Sequence, residues 1–401
     1  MQGALSPSQL QDIRSALPAL SHAMYGNTGT AGPLPEAAAD ALQDAFAAEV
    51  ARGRITPGAW VSAADGAHAA RAEMAHLLGT TEDRLALTHH TSEGLNIAAL
   101  GIRWHPGDVA LTTDLEHLAN QIVLGALRIR QGVEVRVLRL SGARDASEAA
   151  NLVAAQMQGP VRALFLSHVS YATGAVLPVR AVAEIAHAAG AAVVVDGAQS
   201  VGAMRVSPEA EGADFYTVSG QKWLCGPEGT GALWVAPGWE ERLLPGATGY
   251  AGVQRVDAEG YYLPAAGAKR FEVGTTFGPG LAGWAAALRW LRTIGWETVW
   301  QRTHDLAELA RQGLRAISGV DVLTPSRHAG LITFRIEGAP AEHVVSLLQE
   351  RHYLVRSIPG WDAVRVSCGF FLEEAEIQGL VGEVAAIARA ADGAGPLATT
   401  R

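Results

Sequence analysis

The chain has 401 residues, 49% of them hydrophobic and 18% charged, with a formal net charge of −9. This composition belongs to a well-buried protein of more than one lobe, and an acidic balance with no basic cluster speaks against nucleic-acid binding. No apolar run has membrane length, no signal pattern opens the chain, and two cysteines make no disulfide framework, so a cytoplasmic protein is expected.

Residues 7–20 read as a short amphipathic helix, followed by a turn-rich segment from Asn27 to Pro35 that cannot be regular structure. Alanine-rich helical patterns follow at 36–53 and 60–79. From residue 84, short apolar or β-branched runs occur at 84–88, 108–113, 133–140, 161–168, 191–196, 213–218 and 230–236. Helical patterns lie between them, at 92–101, 117–131, 145–157 and 178–189. Such alternation predicts an α/β fold whose large domain holds a mostly parallel seven-stranded sheet covered on both faces. The run Ala192-Val193-Val194-Val195-Asp196 is apolar until its last residue, as a central strand should be. A long helical pattern spans 281–316, with strands near 331–336 and 364–367 and helices near 340–351 and 372–391. This second part reads as a smaller α+β domain. We expect a large domain at 30–280, a small domain from 1–29 and 281–390, and a flexible tail at 391–401. In sheets of this kind ligands gather at the carboxyl ends of the strands.

The basic residues are unevenly chosen. There are two lysines, Lys222 and Lys269, so the remaining 29 of the 31 basic residues are arginines. Arginine neither loses its proton at working pH nor forms an imine, whereas lysine does both when its pKa falls. Lys222 sits in Ser219-Gly220-Gln221-Lys222-Trp223, at the exit of an apolar run, ahead of the turn Gly226-Pro227-Glu228-Gly229. A Schiff-base cofactor would be held there. Asp196-Gly197-Ala198-Gln199 ends the preceding run, 26 positions earlier. A carboxylate at the end of a buried strand needs a cation, and a protonated pyridine nitrogen would supply one. The other reading of Asp196 is a cap on the next helix or a bond to local amides. No HExxH or CxxC spacing suggests a metal.

These motifs resemble the class V aminotransferase family of fold-type I pyridoxal-phosphate enzymes, over about residues 20–390. That family includes cysteine desulfurases, selenocysteine lyases and isopenicillin-N-epimerase-like proteins, and the pattern leans toward the epimerase-like and ergothioneine-pathway C–S lyase group. The resemblance implies pyridoxal 5′-phosphate as cofactor, an amino-acid substrate and a homodimer. It implies that Lys222 forms the Schiff base and moves protons afterwards. Asp196 would pair with the pyridine nitrogen, and Gln199 would lie near the phenolic O3′, with Gln221 beside the lysine. Thr91 and Ser92, at the start of a helix, and Ser219 would hold the phosphate. His117 would stack on the ring and assist protonation, unless it is only a polar residue at a helix start. Thr275 would reach the neighbouring protomer's phosphate. Arg365 would clamp the substrate carboxylate, its alternative being an ordinary salt bridge, and Arg356 has a claim to a second acidic group. Lys269 reads as a surface residue.

Three departures from the family pattern matter. Tyr171 stands where desulfurases carry asparagine, so the contact to O3′ falls to Thr173 or is lost. Gln221 replaces a common histidine and cannot titrate. No cysteine lies in 351–361, where desulfurases hold a persulfide-forming thiol; Cys225 and Cys368 read as small buried apolar residues. β-Elimination of a sulfur leaving group is therefore the first expectation. Transamination or epimerisation follows, then desulfuration. A non-catalytic binding module is a rival from another class, and a nicotinamide dehydrogenase is disfavoured because no GxGxxG follows a first strand. Tyr25, Asn27, Thr30, Tyr250 and Tyr261 are candidate pocket-wall residues.

Overall fold

The computed structural model describes residues 5–143 and 145–394. All seven apolar runs become strands of one sheet. These are β1 (Leu85–Thr88), β2 (Val109–Thr113), β3 (Glu134–Leu138), β4 (Val161–Ser167), β5 (Ala192–Asp196), β6 (Phe215–Ser219) and β7 (Gly231–Val235). Their order across the sheet is β1-β7-β6-β5-β4-β2-β3. Only β7 runs against its neighbours, so six strands share one direction and one carboxyl end.

In chain order the helices are α1 (Pro7–Ser15), whose Ile13 belongs to the core of a second sheet, then α2 (Glu36–Arg52), α3 (Pro57–Leu78), α4 (Thr91–Gly101), α5 (Leu118–Gln131), α6 (Ala146–Gln156) and α7 (Val179–Ala188). Later come α8 (Gly278–Ile294), α9 (Trp296–Arg315), α10 (Ala341–Glu350) and α11 (Glu374–Ala394). Side chains alternate across the pleat, so each central strand feeds two cores. Leu164, Leu166, Val193, Val195 and Val218 pack with Met74 and Leu78 of α3, Val182 of α7 and Trp284 of α8. On the other face Phe165, Val194, Phe215 and Leu233 pack with Leu95 of α4 and Leu124 of α5.

A second sheet is built from β8 (Val320–Val322), β9 (Leu331–Ile336), β10 (Arg356–Ile358) and β11 (Ala363–Ser367), in the order β8-β9-β11-β10 and antiparallel throughout. Its core joins Leu306 and Leu314 of α9 to Leu380 and Val384 of α11. Met24–Tyr25 pairs in parallel with Tyr353–Leu354 on this side of the molecule. That pairing supports placing the division between domains near residues 30 and 280, which we keep as a proposal.

Some local expectations change. The first helix stops at Ser15 rather than 20, because Pro18 lacks an amide donor and pushes Leu17 out of the helical region (φ −123°, ψ 76°); Pro18–Ser21 forms a separate 3-10 turn. The long pattern at 281–316 is two helices, α8 and α9, broken at Gly295, whose φ of +96° no helix accommodates. The strands β8 and β10 and a hairpin of Val253–Val256 with Tyr262–Pro264 are too short or too polar to stand out in the sequence. Helix α11 continues to Ala394, so the expected tail begins with helical residues; 395–401 lie outside the described residues. None of the described helices is long and apolar enough to cross a membrane.

Candidate active site

The shared carboxyl end of the sheet opens on a cavity of about 340 Å3. Each neighbouring strand delivers residues to it. β1 leads to His90, Thr91 and Ser92, and β2 leads to His117. β4 ends at Ser167 ahead of Tyr171, β5 ends at Asp196 ahead of Gln199, and β6 ends at Ser219 ahead of Gln221 and Lys222. The second sheet adds Arg356 from β10 and Arg365 from β11, and the N-terminal turn adds Gly29 and Thr30.

Lys222 is set by a close backbone contact. Gly32 donates its amide to the Gln221 carbonyl at 2.7 Å, and a Cβ on Gly32 would lie 2.2 Å from the Lys222 carbonyl oxygen. The N-terminal turn therefore seats on the lysine only through a glycine. Burial pulls the Lys222 amine down from 10.5 to about 8; the guanidiniums of Arg365 and Arg356 push the same way, and Asp196 opposes them. A sizeable fraction of neutral amine near neutral pH is what a nucleophilic lysine requires.

Asp196 is buried and pairs in register with Ser167 and Thr217. One oxygen, Oδ1, accepts the Ala198 amide at 2.9 Å, and the other has no protein partner among the described residues. No described helix starts there for Asp196 to cap, but the local-amide reading and the cation reading hold together: one oxygen accepts the Ala198 amide and the second is left for a cation. Gln199 donates Nε2–H to the Gly29 carbonyl at 2.8 Å and accepts Trp223 Nε1–H at 2.9 Å, so its amide plane is fixed with one N–H left over. Gln221 lines the same wall, and its buried Oε1 has no partner.

At the start of α4 the Thr91 amide donates to Ser219 Oγ at 3.4 Å, and the two hydroxyls lie 2.7 Å apart. Two hydroxyls and the Ser92 amide, which has no hydrogen-bond partner among the described residues, make an anion-binding corner at the helix start. His117 caps α5 through Nδ1, which accepts the Ala119 amide at 3.2 Å, and its ring meets the ring of Tyr171 edge-on at 4.9 Å. Burial lowers its pKa, as do the cations Lys222, Arg356 and Arg365, with Asp196 acting against them.

Arg365 is 1% exposed, and among the described residues no carboxylate pairs with it. It donates Nη1–H to the Tyr171 carbonyl at 3.0 Å and Nη2–H to Thr30 Oγ1 at 3.3 Å; its Nε is buried and unpartnered. Burial, and then Arg356, pull its pKa down to about 9. Arg356 reaches the same Thr30 hydroxyl at 3.1 Å. Two guanidiniums converging on a cavity without an anion of their own form a receptor for carboxylate. The salt-bridge alternative for Arg365 has no partner here.

Two expected residues are not gathered. Thr173 turns away: Ser170 Oγ accepts the amides of Ala172 and Thr173, the turn closes from the Gly174 amide to the Ser170 carbonyl, and the Thr173 hydroxyl takes the Ala175 amide at 3.3 Å. It lines a neighbouring cavity instead. The position that faces the site is Tyr171. Thr275 bonds to the Tyr250 hydroxyl on the exposed surface and is absent from the cavity wall. Tyr25, Asn27 and Tyr261 do not line the cavity either, although Asn27 Oδ1 accepts the Thr30 hydroxyl at 2.8 Å. Lys269 lies in the 3-10 turn Gly267–Phe271, outside the cavity.

One residue was missed. Glu116 is 2% exposed, and its carboxylate accepts four bonds: Thr113 Oγ1 at 2.6 Å and the Ser167 amide at 3.0 Å on Oε1, Asn120 Nδ2 at 2.9 Å and Ser167 Oγ at 2.7 Å on Oε2. It ties β2, β4 and α5 together directly beside His117. Burial raises its pKa and the four donors oppose that. Cys225 and Cys368 are fully buried, with thiols pushed up to about 12, and neither lines the cavity.

The set fits pyridoxal phosphate on its own chemistry: an amine of lowered pKa, a half-used buried carboxylate, an anion corner, and a buried guanidinium awaiting a carboxylate. The comparisons agree. The family model described as aminotransferase class-V matches residues 25–378. A probable cysteine desulfurase of Methanothermobacter thermautotrophicus is 30% identical, covering 85% of this chain and 84% of that protein. Isopenicillin N epimerase of Streptomyces clavuligerus is 31% identical, covering 90% of this chain and 94% of that protein. Among solved structures, the cystine C–S lyase C-DES in complex with its product cysteine persulfide superposes with a TM-score of 0.87 at 28% identity, over 92% of this chain and 99% of that one. A lysine mutant of C-DES with glycine covalently linked to its PLP cofactor gives a TM-score of 0.88 at 28% identity, over 93% and 98%.

Proposed function

This chain belongs to the class-V aminotransferase family of pyridoxal-phosphate enzymes, and on that premise we propose that it catalyses a C–S lyase-type β-elimination on an amino acid. Lys222 would bind the cofactor aldehyde, Asp196 Oδ2 the pyridine nitrogen, and Thr91, Ser92 and Ser219 the phosphate. The cofactor, when bound, supplies a sink for the electron pair left at the substrate α-carbon.

The residues of the chain supply the rest. Arg365 holds the α-carboxylate, and Arg356, which reaches the same Thr30 hydroxyl, stands ready for a second acidic group of the substrate. Lys222 Nζ takes the α-proton; at a pKa of about 8 it is both a competent base and a competent acid near neutral pH. His117 has its Nδ1 lone pair committed to a backbone amide, so its neutral ring carries the proton on Nε2, available to a departing sulfur. The Gln199 amide, held by Gly29 and Trp223, lines the cavity with one N–H uncommitted.

The observation that carries the elimination reading is the placement of the thiols. A desulfurase must park sulfur on a cysteine, and here both cysteines are fully buried outside the cavity with thiols near 12. Sulfur would leave on its own carrier instead. The test is to offer the loaded enzyme cysteine, cystine and other β-sulfur amino acids, with Cys225→Ala and Cys368→Ala combined as a second sample. Pyruvate and a sulfur product in undiminished yield from the double variant are expected; loss of sulfur release with the cysteines would overturn the reading. The likeness to isopenicillin N epimerase favours a second reading, return of the α-proton to the opposite face, which the same panel reports as inverted amino acid without pyruvate.

We also assign the active unit as a homodimer. Thr275 is absent from the wall of its own cavity, and the exposed apolar side chains Val273 and Phe277 flank it along the chain, as an edge buried between protomers would need.

A further inference from the structure

Helices α4 and α5 both begin at the cavity, and both are capped by histidine. His90 Nδ1 accepts the Glu93 amide at 3.1 Å, just as His117 Nδ1 accepts the Ala119 amide at 3.2 Å. A backbone N–H can only donate, so each Nδ1 must present its lone pair, and the ring proton of the neutral imidazole then sits on Nε2. The tautomer is fixed by the fold.

Small oxygen-bearing residues are the usual caps at this position, and they satisfy the helix as well as a histidine does. What histidine adds is a second nitrogen on the far side of the ring. His90 lines the cavity wall together with Thr91, Ser92 and Ser219, and its Nε2 has no hydrogen-bond partner among the described residues. Glu93, the one acidic side chain in the first turn of α4, is turned onto His89: its Oε2 accepts the His89 amide at 2.6 Å and lies 2.8 Å from His89 Nδ1. The positive end of α4 is thus edged by one imidazole donor and two hydroxyls, with its own carboxylate occupied elsewhere.

We propose that His90 is a further ligand of the cofactor phosphate, giving its Nε2–H to a phosphate oxygen at the start of α4. The inference rests on the cofactor assignment and adds a contact to it. A histidine in this role does two jobs with one ring: Nδ1 holds the helix in place, and Nε2 reports that placement to the anion.

The test separates the two nitrogens. His90→Asn and His90→Ser both keep an acceptor for the Glu93 amide and remove the Nε2 donor. Binding of pyridoxal 5′-phosphate, and of pyridoxal without the phosphate, to the cofactor-free protein would be followed by absorbance. Both variants should bind pyridoxal 5′-phosphate about tenfold more weakly, the scale of one hydrogen bond to a charged group, and bind pyridoxal as the wild type does. Unchanged pyridoxal 5′-phosphate affinity in both variants overturns the proposal, and so does an equal loss for the two ligands, which would make His90 structural only. A wild type that fails to take up pyridoxal 5′-phosphate at all would bring down the cofactor assignment, and this contact with it.

Discussion

Replacing Lys222 by methionine should make the cofactor-free protein more stable. The amine titrates at about 8 in the fold against an ordinary 10.5, mainly because it is buried. At about 1.4 kcal/mol per pH unit, the protonated lysine costs the fold about 3 kcal/mol. The sign follows from which state holds the proton. The unfolded chain keeps it up to about 10.5 and the folded chain only to about 8, so between these values unfolding takes up a proton and wild-type stability rises with pH. Below about 8 both states are protonated and the whole cost is present; above about 10.5 neither is, and the cost is gone. Methionine keeps the apolar stem and roughly the volume while removing the charge. Urea unfolding of wild type and Lys222→Met, both cofactor-free, would be measured from about pH 6.5 to about pH 10.5. The variant should be the more stable by about 3 kcal/mol at the acid end, with the gap closing at the alkaline end. No gap, or a gap that widens with pH, would refute the claim that the fold disfavours a charged Lys222.

Arg365→Lys keeps the charge and loses the planar fork that serves a carboxylate, so kcat/KM should fall by roughly 10- to 100-fold, with the binding of an inert carboxylate weakened alongside; steady-state kinetics and inhibitor titration check it. Glu116→Gln puts an amide where two oxygens accept four donors, and should destabilise the cofactor-free protein by about 1–3 kcal/mol. Chemical denaturation reads this directly, and an unchanged midpoint would contradict the four-acceptor arrangement. Asp196→Asn should leave the fold intact, because the Ala198 amide still finds an oxygen, but should weaken pyridoxal 5′-phosphate binding and lower turnover by at least tenfold.

What could be read in the sequence was what chemistry writes locally. Lys222 announced itself through the scarcity of lysine and the small residues around it, and Asp196 through its place at the end of an unbroken apolar strand. Six of the seven strands were legible because both of their faces are buried, which leaves nearly continuous apolar runs; the edge strand Glu134–Leu138 is exposed or half-buried up to its last residue and showed only through its valines and leucine. Glu116 was not legible. An acid three residues past a strand looks like any helix-start residue, and the donors that hold it come from three separate elements; the hydroxyls Thr113 and Ser167, each ending a buried strand, were the faint signal. Thr30 was noted only as a candidate wall residue, because its value comes from two guanidiniums more than three hundred positions away. Thr173 was chosen for its hydroxyl, but the turn closed by the Gly174 amide points that hydroxyl elsewhere and leaves Tyr171 at the wall. The break at Gly295 was hidden because the apolar periodicity runs on across it; only the backbone conformation gives it away.

The most direct test of the account is to load the protein with pyridoxal 5′-phosphate, reduce it with borohydride, digest it and locate the added mass. With two lysines in the chain the answer is binary. The account predicts a phosphopyridoxyl group on Lys222 and none on Lys269; modification of Lys269 alone, or of neither, would contradict it.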